Sequence, residues 1–448
     1  MSSLLGMIFA LLSVVEASER PNVVFLIADD LGWADVAFHG GAVPTPNLDR
    51  LKVEGVELTR HYVAPVCSPT RTALMTGRCW SRFGVTTPQN GRALPFETVT
   101  LPRALKECGY DTAITGKWHL GSKPEWGPNH FGFDHSYGSL AGGVGPYNHR
   151  YKKGEYSVTW HRNGDLIEEE GHVTDLIVDE AVRWIGGRGD APFFLYVPFT
   201  AVHLPVKEPQ GWLDRVPASI TGEVPRHYAA CILHLDDAVG RIVRAIDGCG
   251  KGGKTLIVFT SDNGGSTAEN KDAKYPADDY PQGKLTGNNA PLRGQKGDLY
   301  DGGIRVPTLA RWTGAIPAAS TCDALLHISD WMPTIAALAG FEGGSRLNWD
   351  GIDAWPAVSG KGALPGRVIY SAGPGFRARS LHHGDWKLIF RDAGKGGGEV
   401  HELFHLGADP SETRDLSTAE AGKLAEMKAR LDAAAKADRD AVVAKRAE

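Results

Sequence analysis

Short apolar segments that alternate with helix-like segments restrict the fold of this chain more than any other sequence feature. Residues 22–28, 192–199 and 255–260 are nearly continuous apolar runs, and a shorter strand-like segment covers residues 111–115. Such runs are typical of strands that are buried on both faces of a sheet. Because strands and helices alternate along the chain, the sequence predicts an α/β fold with a large, mainly parallel central sheet flanked by helices.

Capping residues and glycines delimit the helices predicted between these strands. The predicted helices are residues 46–54 between Thr45 and Gly55, 101–108 before Gly109, 175–185 between Thr174 and Gly186-Gly187, and 227–247 before Gly248. After about residue 364, strand-like segments at 380–390 and 399–406 precede a helix-favouring tail at 418–448, rich in Ala, Lys and Glu. We therefore predict a main domain over residues 18–364 and a small C-terminal α+β subdomain, with antiparallel strands and a terminal helix, over 365–448.

The first 17 residues have the pattern of a secretory signal peptide. An apolar run covers residues 4–15, and Val15-Glu16-Ala17 fits a cleavage site of small residues. The run is preceded by no Lys or Arg, so an N-terminal membrane anchor or a plain apolar start is the alternative. No later stretch approaches the ~20 apolar residues that span a bilayer. We expect a secreted or periplasmic protein without a stable membrane span.

Each of the four predicted strands is followed by polar or charged residues. Ligands bind beyond the carboxyl ends of the strands in open parallel sheets, so these side chains are expected to meet at one edge. The residues concerned are Asp29 and Asp30, Lys117 and His119, His203, and Asp262 and Asn263. Four strand ends with complementary chemistry indicate a single functional site.

The oxygen donors among these residues indicate a metal ion. Asp29, Asp30 and Asp262 would repel one another if they clustered without a cation. Together with Asn263 they form an all-oxygen set, which favours Ca²⁺ or Mg²⁺ over zinc. For Asp29 and Asp30 the alternative is a strand-end turn or a helix cap.

The segment Cys67-Ser68-Pro69-Thr70-Arg71 contains the candidate nucleophile. Pro69 suits the first turn of a helix that continues to Gly77. Cys67 would then lie at the positive end of the helix dipole, where an anion or an ionised oxygen is stabilised. Arg71 lies one turn further along the same face and can reach the Cys67 side chain or a bound anion. The alternative is a buried cysteine before a helix, with Arg71 on the surface.

These five residues match Cys-x-Pro-x-Arg, the maturation signature of type I, formylglycine-dependent sulfatases, and residues 72–78 match its usual continuation. Further matching segments are PNVVFLIADDLG at 21–32, TGKWHLG at 115–121, SDNGG at 261–265 and LRGQKGDLYDGGIRVP at 292–307, with weaker matches WKLI at 386–389 and DPSETRDL at 409–416. The chain resembles this arylsulfatase-like family over nearly its whole mature length. The resemblance implies an alkaline-phosphatase-like sandwich and identifies the main domain as the catalytic sulfatase domain.

The same resemblance implies a chemistry for Cys67. A formylglycine-generating or sulfatase-maturing enzyme would oxidise it to Cα-formylglycine, whose hydrate attacks sulfur with one hydroxyl and releases sulfate by elimination through the other. The metal ligands implied for Ca²⁺, with Mg²⁺ as the alternative, are Asp29, Asp30, Asp262, Asn263 and the modified Cys67. Metal coordination would polarise the sulfate and acidify the diol.

The remaining site residues take their roles from the resemblance as well. Asp262 would accept the proton of the attacking hydroxyl, Arg71 would orient the diol, and His119 would take the proton that triggers elimination. Lys117, His203 and Lys296 would contact the sulfate oxygens, and either His203 or Lys296 would protonate the leaving alcohol. Outside its motif, His119 would be read as a core or strand-end histidine, and Lys296 as a solvated turn lysine.

Two polar, loop-rich segments, residues 121–161 and 266–289, are expected to set specificity, which favours a sulfated carbohydrate over a buried lipid. Trp126, Trp160 and Trp212 are candidates for stacking on a sugar ring. The rival hypotheses are a phosphonate monoester or phosphodiester hydrolase with the same site, and a sulfated-glycan-binding protein without turnover.

Charge and cysteine content add two restrictions. The chain has 48 Lys and Arg against 53 Asp and Glu, a net charge of −5, which argues against a nucleic-acid binder but allows a local basic pocket. Six cysteines in 448 residues are too few for a disulfide scaffold. If Cys67 is catalytic, the other five can form at most two disulfides, and their spacing assigns no pairs.

Overall fold

A computed structural model describes residues 20–270, 275–276, 279–392 and 398–438. The expected signal peptide lies outside these residues, as does the end of the expected C-terminal helix.

The strands are β1 (Asn22–Ala28), β2 (Val56–Leu58), β3 (His61–Tyr62), β4 (Asp111–Thr115), β5 (His135–Ser139), β6 (Trp160–Arg162), β7 (Asp165–Leu166), β8 (Phe193–Pro198), β9 (Thr255–Ser261), β10 (Leu309–Arg311), β11 (Ser320–Cys322), β12 (Leu326–His327), β13 (Val368–Ala372), β14 (Ala378–His383), β15 (Trp386–Asp392) and β16 (Glu399–His405). The α-helices are α1 (Pro46–Glu54), α2 (Cys67–Thr76), α3 (Leu101–Glu107), α4 (Val173–Gly186), α5 (Gln210–Leu213), α6 (Glu223–Gly248), α7 (Asp301–Ile304), α8 (Trp331–Ala339), α9 (Trp355–Val358) and α10 (Ala421–Ala437). In this part of the chain, no helix is both long enough and apolar enough to cross a membrane.

A ten-stranded sheet forms the centre of the fold, in the order β11-β2-β10-β9-β1-β8-β4-β5-β6-β7. Its middle strands β9, β1, β8, β4 and β5 are all parallel to their neighbours in this group. The outer strands β10, β6 and β7 pair antiparallel. The mainly parallel α/β sheet expected from the sequence is therefore confirmed.

The burial of β1 explains its continuous apolar sequence. All seven of its residues are buried, and successive side chains point to opposite faces of the sheet. Val24 and Leu26 belong to the core that α1, α4 and α6 cover, whereas Val23 and Phe25 belong to the core covered by α2, α3 and α8. Helices on both faces thus leave only the strand ends for a site.

A second, four-stranded antiparallel sheet follows the main sheet in the chain, in the order β13-β14-β15-β16. Helix α10 packs on it through Met427 and Leu431, which contact Leu388 and Leu403 in one apolar cluster. The small antiparallel C-terminal sheet expected from the sequence is confirmed.

Thr45 is the N-cap residue of α1, as predicted, but its side chain makes no capping hydrogen bond, and the predicted cap Thr174 of α4 is wrong. The Thr45 hydroxyl accepts a hydrogen bond from the Ala37 N–H at 2.9 Å and makes no cap for α1. Helix α4 begins two residues earlier than expected, and the His172 ring caps it by accepting from the Thr174 N–H at 3.3 Å.

A buried ionic cluster joins α4 and α6. His234 Nδ1 donates to Glu208 Oε2 at 2.8 Å, and His234 Nε2 lies 3.3 Å from Asp175 Oδ1. Within the described residues, Glu208 forms ion pairs with His234 and His172 alone. Burial alone would lower the pKa of His234, but the carboxylates of Asp175 and Glu208 raise it to about 9. His234 is therefore expected to be charged at neutral pH.

This cluster should make stability depend on pH. The stabilisation is complete below the ordinary histidine pKa of 6.5 and is lost as the pH rises through about 9, where folded His234 deprotonates. Between pH 6.5 and about 9, we expect the free energy of unfolding of wild type to fall by about 3 kcal/mol more than that of His234→Gln. Urea unfolding across this pH range measures it, with the exposed His130→Gln as control. Parallel pH curves for wild type and His234→Gln would contradict the expectation.

Candidate active site

Helix α2 begins at Cys67, and all ten of its residues are buried. Val66 precedes it in extended conformation and provides no side-chain cap. The first-turn N–H groups and the positive end of the helix dipole therefore face whatever lies beside Cys67, and such a position favours an anion.

Two hydroxyls fasten the start of α2 to the ends of two strands. The Ser68 hydroxyl donates to the His119 carbonyl at 2.8 Å and accepts from the Gln89 N–H at 2.9 Å. The Thr70 hydroxyl donates to the Asp262 carbonyl at 2.6 Å. The residues between Cys67 and Arg71 thus hold the helix between the segments that follow β4 and β9.

Arg71 is buried and connects the same two segments. Its Nη1 donates to the Lys117 carbonyl at 2.5 Å, and its Nη2 donates to Asp262 Oδ2 at 2.8 Å. The alternative of a surface arginine is wrong. Arg71 orients the carboxylate of Asp262 next to Cys67.

The four expected oxygen donors converge at the carboxyl edge of the central sheet. Ala28 and Ser261 are paired in register, so Asp29 and Asp262 leave the sheet side by side. Candidate ligand atoms of Asp29, Cys67 and Asp262 all lie within 4.8 Å of one another. Asn263 Nδ2 donates to Asp30 Oδ1 at 2.8 Å.

Two lysines pair with the first two aspartates. Lys117 Nζ lies 2.5 Å from Asp29 Oδ2, and both side chains are fully buried. Lys296 Nζ lies 2.7 Å from Asp30 Oδ1, and His203 Nε2 lies 3.8 Å from Asp30 Oδ2. Burial would raise the pKa of Asp30, but Lys296 and His203 lower it below its ordinary value.

His119 is a buried histidine in the segment that follows β4. Neither Nδ1 nor Nε2 has a hydrogen-bond partner among the described residues. Burial, followed by the charges of Lys117 and Arg71, holds the pKa of His119 well below its ordinary value. At neutral pH the imidazole is therefore uncharged and can accept a proton.

Close backbone packing brings Lys296 to this site. A Cβ on Gly264 would lie 1.8 Å from the Gly302 carbonyl, so only glycine allows the segment after β9 to meet α7. The Lys296 N–H donates to the Gly265 carbonyl at 3.1 Å, and the Gly297 N–H donates to the Pro65 carbonyl at 2.8 Å. A Cβ on Gly302 would lie 2.4 Å from the Gly294 carbonyl, which explains this glycine of YDGG.

We give the name anion pocket to the group of side chains formed by Cys67, Lys117, His119, His203 and Lys296. The expected site residues lie in it or among the oxygen donors beside it, except Arg71, which pairs with Asp262. Each of three buried carboxylates has a cationic partner. Arg71 pairs with Asp262, Lys117 pairs with Asp29, and Lys296 pairs with Asp30.

A buried network that sequence analysis missed supports the Lys296 segment. Lys387 Nζ lies 2.7 Å from both Asp301 Oδ1 and Glu412 Oε1, and all three side chains are inaccessible or nearly so. Glu412 Oε2 accepts from the Asp301 N–H at 2.6 Å. The only sequence signals were the three motifs that contain these residues, YDGG, WKLI and DPSETRDL.

The tryptophans expected to stack on sugars differ in accessibility. Trp160 is 2% exposed and packs against Tyr137 and His149, so that expectation is wrong for it. Trp212 stacks on His234. Trp126 is half-buried beside Lys123 and stays a candidate.

The six cysteines are all unpaired.

The fold and the site define an α/β protein of the alkaline-phosphatase-like class, with its polar centre at the carboxyl edge of the sheet. The sequence model of the sulfatase family matches residues 21–341. The chain belongs to the sulfatase family, a family of sulfuric ester hydrolases. The resemblance and the fold class inferred from the sequence are thereby confirmed.

Relatives and solved structures agree with this assignment. The chain is 33% identical to N-acetylgalactosamine-6-sulfatase of Sus scrofa, over 91% of this chain and 84% of the relative. It is 34% identical to arylsulfatase J of Mus musculus over 76% of this chain, a match that spans 56% of that relative's length. The structure of Ps i-CgsB in complex with k-i-k-neocarrahexaose is similar with a TM-score of 0.82 and 30% identity, over 95% of this chain and 94% of that chain. The PsFucS1 sulfatase from Pseudoalteromonas sp. gives a TM-score of 0.76 and 26% identity, over 95% and 91% of the two chains.

Proposed function

We propose that the protein removes sulfate from a sulfated carbohydrate or polysaccharide, with a nucleophile made from Cys67 and a bound Ca²⁺. The observation that carries the proposal is the position of Cys67, in the first turn of α2 and against Asp29 and Asp262. Two similar proteins support a carbohydrate substrate, since one is named N-acetylgalactosamine-6-sulfatase and another is solved with a neocarrahexaose.

The donor atoms support a hard divalent cation. Asp29 Oδ1 and Asn263 Oδ1 are buried and have no hydrogen-bond partner among the described residues, so each keeps lone pairs for a ligand. Oxygen donors favour Ca²⁺, with Mg²⁺ as the alternative. The proposed ligands are Asp29, Asp30, Asp262, Asn263 and the modified residue 67. When bound, the ion would offset the charge of the sulfate and acidify hydroxyls beside it.

The Cys67 thiol is poorly suited to act as the nucleophile itself. Burial raises its pKa, although Lys117 and Lys296 act in the opposite direction. We therefore propose that a formylglycine-generating or sulfatase-maturing enzyme oxidises Cys67. Hydrated formylglycine would supply two hydroxyls, one to attack sulfur and one to allow elimination of sulfate without attack of water on sulfur.

The surrounding side chains would then move the protons and hold the anion. Asp262, oriented by Arg71, is proposed to accept the proton of the attacking hydroxyl. His119, uncharged and without a hydrogen bond in the described structure, is proposed to remove the second proton. Each such transfer is worth roughly 10²–10⁴ in rate.

Two lysines and a histidine are available to hold the anion and to protonate the leaving group. Lys117 and Lys296 are proposed to contact sulfate oxygens. Either Lys296 or His203 would protonate the leaving alcohol, because both retain some exposure, with side chains 20% and 14% accessible.

We propose that residues 1–17 are a signal peptide that directs a secreted or periplasmic protein. We also propose the division into a catalytic domain over residues 18–364 and a C-terminal subdomain over 365–448. Nucleic acid is not proposed as a partner, because the net charge is −5.

Removal of divalent cations is expected to lower the rate of sulfate release by at least about 10²-fold, because several kcal/mol of charge stabilisation would be lost. The assay is turnover after dialysis against a chelator, followed by addition of Ca²⁺, Mg²⁺ or Zn²⁺. Ca²⁺ should restore most activity, whereas Asn263→Ala should need a higher Ca²⁺ concentration than wild type. Full turnover by protein shown by elemental analysis to be free of divalent cations would contradict the proposed ion.

The experiment that tests the function is sulfate release from a panel of sulfated glycans and one aryl sulfate, beside phosphonate monoesters and phosphodiesters. Release from one glycan class would support the proposal. Turnover of phosphorus esters alone would favour the rival hydrolase. Glycan binding without turnover, by protein that carries formylglycine, would favour the non-catalytic binder.

A further inference from the structure

We propose that Lys152 and Lys153 bind a second anionic group of the substrate, on a sugar next to the one that carries the reacting sulfate. The inference rests on the proposed function and specifies its substrate class. The expected substrate is a glycan with more than one negative charge, the second being a sulfate or a carboxylate.

Tyr151 connects these lysines to the anion pocket. A Cβ on Gly142 would lie 3.1 Å from Tyr151 Cε2 and 3.2 Å from His119 Nε2, so the tyrosine and the histidine flank one glycine. The Tyr151 ring also lies 6.1 Å from the ring of Tyr275, edge to face. Tyr151 therefore forms part of the wall beside His119.

The lysines follow Tyr151 in a hairpin-like turn. Arg150 and Val158 form an antiparallel bridge, and the Tyr151 N–H donates to the Ser157 carbonyl at 2.9 Å. Lys152 Nζ lies 5.2 Å from the centroid of the Tyr151 ring, at cation–π distance. The ammonium of Lys152 is thus held over a ring whose edge reaches toward His119.

The neighbouring cations Arg150 and Lys123 form ion pairs, whereas Lys152 and Lys153 form none with the described residues. Arg150 pairs with Glu168 at 2.7 Å, and Lys123 pairs with Glu155 at 2.9 Å, which ties the turn to the segment after TGKWHLG. Among the described residues, no carboxylate lies within ion-pair distance of Lys152 or Lys153. Two adjacent cations remain available to a ligand, and Lys153 is exposed.

This arrangement favours an anion at the rim of the pocket. Exposed charges interact over a Debye length of about 8 Å at physiological ionic strength, so the lysines would attract a group carried on the sugar beside the reacting one. An aryl sulfate carries no such group. The lysines should therefore distinguish polyanionic glycans from small monosulfates.

The test compares selectivity in wild type and the double variant Lys152→Ala/Lys153→Ala. The substrates are a disulfated oligosaccharide, an oligosaccharide with one sulfate and one uronate, and an aryl sulfate. Removal of two exposed ion pairs is expected to lower the ratio of kcat/KM for the doubly charged glycan to that for the aryl sulfate about three- to tenfold, mainly through KM. Whether the disulfated or the uronate substrate responds more identifies the second anion.

Lys361→Ala, an exposed lysine after α9, is the control for loss of surface charge. An unchanged selectivity ratio for both doubly charged glycans would overturn the proposal. If wild type released no sulfate from any substrate, the proposed function would fail, and calorimetric binding of the same oligosaccharides would still test the lysines. Equal binding by wild type and the double variant would then overturn the inference.

Discussion

Replacement of Cys67 with alanine is expected to lower kcat/KM for sulfate release by at least about 10⁴-fold, the scale seen when an enzyme loses its nucleophile. The fold should persist, because Ser68 and Thr70 fasten α2 through hydrogen bonds that do not involve the thiol. The measurements are turnover of an aryl sulfate and urea unfolding of the same preparation.

Cys79→Ala is the matched control for this variant. Cys79 is also a buried thiol and lies just beyond the other end of α2, where its sulfur contacts the Ser81 hydroxyl. We expect this variant to keep its turnover. If Cys67→Ala and Cys79→Ala released sulfate at similar rates, Cys67 would not be the nucleophile.

Replacement of Lys387 with methionine is expected to destabilise the protein by about 3–5 kcal/mol, because it leaves buried carboxylates without their ammonium partner. Asp301 and Glu412 both face that ammonium at 2.7 Å. Burial would raise the pKa of Asp301, but Lys387 and His382 lower it, so the carboxylate stays charged. The free energy of unfolding in urea measures the effect.

Lys428→Met is the matched control, because Lys428 pairs with Glu399 and Asp432 on the surface, where the side chain of the lysine is 40% exposed. Its loss should cost about 0–1 kcal/mol. Similar small losses for the two variants would show that the Asp301 network contributes little. A large loss for Lys387→Met alone would support the role of the C-terminal sheet in holding the segment that carries Lys296.

The strands next to the site could be predicted because their burial is complete. In β1, β8 and β9 every residue is buried, so the middle of each strand is apolar and polar residues follow where the strand ends. Strands such as β2, β3 and β11 have two or three residues each and exist through pairing with distant segments. No local pattern distinguishes such strands from loops.

The convergence of Asp29, Asp262, Lys117 and His203 could be predicted from parallel strands that end at one edge. The partners of Asp301 could not, because Lys387 and Glu412 come from a different sheet and from a loop far along the chain. A lysine inside WKLI looks like the polar position of a half-exposed strand, and only tertiary contacts reveal that it is buried.

Contacts made in the folded chain also explain why some predictions about single residues were wrong. Trp160 lies in polar sequence, yet its ring packs against His149 and Tyr137 in the core. Thr45 and Thr174 are good helix caps by residue type, but the Thr45 hydroxyl bonds the Ala37 N–H instead, and the His172 ring caps α4. The residue types therefore indicated that these side chains would make hydrogen bonds or ring contacts, but they did not indicate with which residues.

Peptide mass analysis of residue 67, made on samples whose sulfate release is measured in parallel, tests whether formylglycine is the nucleophile. Preparations expressed with and without a maturation enzyme would contain different fractions of formylglycine at position 67. We expect turnover to rise in proportion to that fraction and to vanish when position 67 is entirely cysteine. Undiminished sulfate release by protein with unmodified Cys67 would contradict it.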